Sequence, residues 1–99
     1  MSQHEQQPRP ATASAGAYTA TASAVESGAD LPGEWSVAVT IMRTPGGHVT
    51  SYYAAQGYES AAGAAADAPA IAARAAREQH EWEQREPIIA AHYQRASAR

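Results

Sequence analysis

From Trp35 the chain alternates. Trp35, Val37, Val39 and Ile41 fall on one face and Ser36, Ala38 and Thr40 on the other, the period-two pattern of a half-buried strand. Thr44-Pro45-Gly46-Gly47 follows, with a proline to set φ and glycines able to take positive φ, as a hairpin connection requires. Residues 48–55 then return as a second strand. A three-residue loop of Pro45, Gly46 and Gly47 pairs Thr44 with His48, sets Val39 opposite Tyr53 and Ile41 opposite Ser51, and brings Val49 onto the apolar face. A two-residue loop sets Tyr52 opposite Val39 instead. The first register is preferred, because one residue of slip carries a whole side-chain set to the other face.

Beyond Tyr58 the period changes to that of a helix. Ser60 is placed to cap an alanine-rich run of high helix propensity. Pro69 and Pro87 divide this region into expected helices over 60–68, 69–86 and 87–97. At about 100° per residue, Ile71, Ala75, Trp82, Ile89 and Tyr93 share a narrow stripe. Positions 71, 75, 78, 82, 85, 89 and 92 also alternate spacings of four and three, but Glu78 and Arg85 interrupt them. That favours packing on a sheet, or on a second copy, over a coiled coil.

Residues 1–30 are rich in Gln, Pro, Ala, Ser and Thr and carry little large apolar surface. The expectation is a disordered tail, with an alternation over 17–25 that an edge strand would show. The predicted fold is therefore α+β: a ββα domain over 31–99, with strands at about 34–43 and 48–55.

Composition sharpens this picture. Alanine supplies 26 of the 99 residues and phenylalanine none, so most of the hydrophobic content is methyl groups and the core is small. With no cysteine, disulfides and thiolate chemistry are excluded. Lysine, asparagine and phenylalanine are missing while Ala, Gly, Arg and Pro abound, a usage expected of a high-GC bacterial genome or its phages and plasmids. The start lacks the pattern of a signal peptide, and no apolar run approaches a membrane span. A cytoplasmic protein with no membrane partner is expected. The formal charge of −3 is too small for a polyanion mimic and has the wrong sign for unspecific nucleic-acid binding.

Candidate chemistry is thin. His80-Glu81 begins like a metalloprotease helix, but Gln84 stands where the second histidine ligand belongs. His4, His48, His80 and His92 are scattered, and the glycines of the hairpin turn join two strands without leading into a helix that could hold a phosphate. The expectation is no enzyme, no metal and no cofactor. Two strands and a helix are marginal alone, so the leading expectation is a small interaction protein that self-associates or docks on a larger protein. Its anchors would be Trp35, Tyr53, Ile71, Trp82, Ile89 and Tyr93. The alternative is a nucleic-acid-binding accessory protein with Arg43, His48, Arg74 and Arg77 on phosphate.

Overall fold

The computed structural model describes residues 8–27, 33–86, 88, 91 and 92. Four strands and a helix follow in order: β1 (Ala11–Ala15), β2 (Tyr18–Glu26), β3 (Trp35–Arg43), β4 (Gly47–Tyr58) and α1 (Ala61–Arg85). The strands form one antiparallel sheet in sequence order. The class is α+β, but the sheet has four strands where a hairpin was expected.

Much of the supposed tail is therefore sheet. Ala15 pairs with Tyr18 around Gly16 and Ala17. Gly16 takes φ 59° and no other residue of that turn is positive, as in a type II′ hairpin. Tyr18, Ala20, Ala22 and Ala24 are buried beneath the helix. The strand forms because Thr and Ser fill its outer positions while the alanines let α1 lie close. Methyl groups sufficed because the covering surface is also alanine.

The helix runs unbroken past Pro69, so the expected division into 60–68 and 69–86 is replaced by one element of 25 residues. Pro69 is exposed and forgoes one backbone bond, while Ala68 and Ala72 remain packed. Ser60 does cap the helix, accepting from the Gly63 N–H at 3.0 Å. The expected 87–97 helix lies largely outside the described residues.

The helix also faces a different way from the expected stripe. Its buried residues are Ala61, Ala64, Ala68, Ala72, Ala75, Ala76 and Glu83, a face turned by about 60° from the Ile71–Trp82 stripe. Small side chains on β2 and α1 allow an approach that Ile or Trp at the centre would prevent. Among the largest fully buried side chains are Tyr18, Ile41, Val37 and Val39.

The hairpin register differs as well. The turn is Thr44–Gly46, with Arg43 opposite Gly47, and one bulge, between the Met42 and Ile41 pairs, then brings Ile41 opposite Thr50 and Val39 opposite Tyr52, the pairing of the less favoured register. Tyr52 thereby takes the helix-facing side and Tyr53 the outer side. The bulge between the Met42 and Ile41 pairs still lets Val49 pack against the core.

Candidate functional site

Alternation along β3 carries Arg43 onto the same face as Val37, Val39 and Ile41, so its cation must be satisfied inside. Glu83, in the last turn of α1, does this. Arg43 Nε donates to Glu83 Oε1 at 2.8 Å and Nη2 to Oε2 at 3.0 Å, a bidentate pair. Tyr18, at the start of β2, donates its hydroxyl to the same carboxylate at 2.7 Å, and the guanidinium lies 5.5 Å from its ring centroid. Arg43 Nη1 donates to the Pro45 carbonyl at 2.9 Å, tying in the hairpin turn. Hydrogen bonds from Arg43, aided by Tyr18 and opposed by burial, hold the Glu83 carboxyl below its usual range.

This cluster joins three elements by groups that are all engaged. Its chemistry is that of a structural latch. Beside it, the His80 ring packs where a Cβ on Gly16 would collide with it, so this close approach, like the turn's positive φ, requires glycine.

The second feature lies on the opposite flank. The helix rests mainly over β1 and β2 and leaves β4, an edge strand of twelve residues, largely exposed. A shallow groove of about 290 Å³ runs between β4 and α1, lined by Tyr52, Tyr53, Ala54, Ile71, Arg74, Ala75 and Glu78. Arg74 Nε donates to Glu78 Oε2 at 2.9 Å along its rim. Tyr58, at the far end of β4, donates to Asp67 at 2.6 Å and fastens the strand's end to the first half of the helix.

Of the expected interaction residues, Ile71 and Tyr53 meet at this groove. Trp82 lies partly exposed on the same flank of the helix as Ile71, and Trp35 is half-buried at the start of β3, opposite Tyr58. Ile89 and Tyr93 lie outside the described residues. Of the cationic set, Arg43 is turned inward, Arg74 is paired with Glu78, His48 contacts Ser51 at 2.9 Å and Arg77 is exposed on another face of the helix.

No protein-family model matches this chain, and no curated protein or solved structure matches it. Among the described residues no group of three or more His, Asp or Glu could hold a metal ion, and no helix is long and apolar enough to cross a membrane. Two residues that organise the structure, Tyr18 and Glu83, were not singled out by sequence. The signal available was Arg43 itself, a charge on a strand's apolar face that demands an acid from elsewhere.

Proposed function

We propose that this chain is a non-enzymatic interaction module that docks an extended segment of a partner protein along β4. The observation that supports it is the twelve-residue edge left uncovered by α1. An unpaired edge presents a row of N–H and C=O groups, and proteins usually blunt such edges with lysine, proline or a covering loop. β4 contains neither lysine nor proline. A partner strand added there gains main-chain hydrogen bonds, while the groove at Tyr52 and Ile71 receives alternate side chains.

Photo-cross-linking tests this. A benzophenone side chain placed at Tyr52 is expected to capture one defined partner in the source cells, identified by mass spectrometry, whereas the same probe at Arg77 captures none. Equal products from both positions, or a Tyr52 product that survives Ala54→Pro, would overturn the docking reading.

A further inference from the structure

The outer face of the sheet, away from α1, has a separate character. Pairing sets Thr12 opposite Thr21, Thr21 opposite Thr40 and Thr40 opposite Ser51, so one row of hydroxyls crosses all four strands. Ser14 and Thr19 begin a second row, their hydroxyls 3.1 Å apart, and those of Thr40 and Ser51 are 3.2 Å apart. No Asp, Glu, Lys or Arg points outward from the described strands: Glu26 and Arg43 both have helix-side parity. A solvated surface is ordinarily about a quarter to a third charged.

We propose that a second copy of this chain packs face to face on this hydroxyl surface. A two-fold axis places a patch on itself, so a charged patch would meet its own sign. A hydroxyl both donates and accepts, which makes a Thr/Ser face complementary to its own copy. Side chains are small over most of this face, the exposed Met42 and Tyr53 being the exceptions towards β4, and small side chains let two sheets approach to about 10 Å. Strands of 5, 9, 9 and 12 residues, at about 3.3 Å per residue and about 4.8 Å apart, offer roughly 550 Å² a side, about 1,100 Å² in all, near the lower bound for a specific interface.

The rim fits the same geometry. Arg9 borders the patch beside Ser23 and Val25, and Glu34 borders it beside Ser36, at the same end of the sheet but towards opposite edges. An axis along the strands, between β2 and β3, brings each Arg9 over the Glu34 side of its partner and each Thr21 over its partner's Thr40.

Sedimentation equilibrium of the full chain, over a range of concentrations and at low and high salt, tests the proposal. The expected species has twice the 10.4 kDa chain mass. Thr21→Arg and Thr40→Glu, each alone, are expected to weaken the dimer at least about tenfold by desolvating an unpaired charge, with the helical circular dichroism retained. Mixing the two variants is expected to restore a dimer, since the Arg of one then faces the Glu of the other. A monomeric wild type, or a dimer indifferent to both variants, overturns the proposal. A dimer lost only on Tyr52→Arg overturns it too and moves self-association to β4, whereas an intact face dimer with no Tyr52 cross-link removes only the docking reading.

Discussion

The two halves of α1 are held to the sheet by opposite means. From Ala61 to Ala76 the contact is methyl against methyl, Ala64, Ala68 and Ala72 over the alanines of β2. At Glu83 it is a buried ion pair with hydrogen bonds from Arg43 and Tyr18. Alanine contacts permit close approach but discriminate poorly among neighbouring helix rotations, because alanine recurs around about 240° of this helix's circumference. A bidentate carboxylate has one geometry. The latch therefore selects the rotation that the methyl groups stabilise, and it does so at the end where the two hairpin turns also meet through the Thr44 N–H and the Ala17 carbonyl at 3.0 Å.

Removing the latch should have the largest effect. Glu83→Ala leaves the Arg43 cation buried without its carboxylate, and is expected to cost about 3–5 kcal/mol in urea unfolding. Replacing all three groups by apolar ones, Arg43→Met with Glu83→Leu and Tyr18→Phe, is expected to recover most of that stability. If the triple variant unfolds as easily as Glu83→Ala, packing and not the orphaned charge accounts for the loss. Acid gives the same comparison without a substitution. Because the folded Glu83 carboxyl lies below its usual range, its contribution is full above the ordinary carboxylate range. It is lost as pH falls through the depressed folded value. The Glu83→Gln variant is expected to show a shallower loss of stability with acid over that interval.

The alanine half is expected to fail through excess, not loss. Ala72 is fully buried, and Ala72→Leu inserts methylenes where the helix lies close to the sheet, at an expected cost of about 1–3 kcal/mol. The exposed Ala73, one position along, serves as the control. Ala73→Leu is expected to change stability by less than about 0.5 kcal/mol. Equal effects at the two positions would show that the alanine face is not closely packed.

The same contrast explains what was legible in the sequence. Val37, Val39 and Ile41 announce β3 because large apolar residues alternate with polar ones, and Ser60 announces the helix start. β1 and β2 carry an equally regular alternation, but in alanine, whose small side chain makes a core strand resemble a low-complexity tail. The helix face was misjudged for the same reason. Ile71 and Trp82 dominate any pattern weighted by size, whereas geometry buries the smallest residues and sends the large ones to the flank. Of the candidate site, Ile71 and Tyr53 were legible, whereas Tyr52 stood opposite Val39 only in the less favoured two-residue-loop register, which the bulge between the Ile41 and Met42 pairs restores after a three-residue turn.

The smallest effect belongs to the helix cap, which lies within the alanine-packed half and far from the latch. Ser60 Oγ accepts from the Gly63 N–H, and the Ser60 carbonyl accepts from the Ala64 N–H at 3.2 Å. Ser60→Ala removes only the side-chain acceptor, at an expected cost of about 1 kcal/mol, and Ser60→Asp is expected to restore it. If the latch selects the helix rotation, this loss should add to that of Glu83→Ala in the double variant, since the two sites lie at opposite ends of α1. A double variant measurably better or worse than the sum would mean that the capped end and the latched end are coupled through the alanine face between them. The helix would then be positioned as one rigid body and not fixed at its last turns.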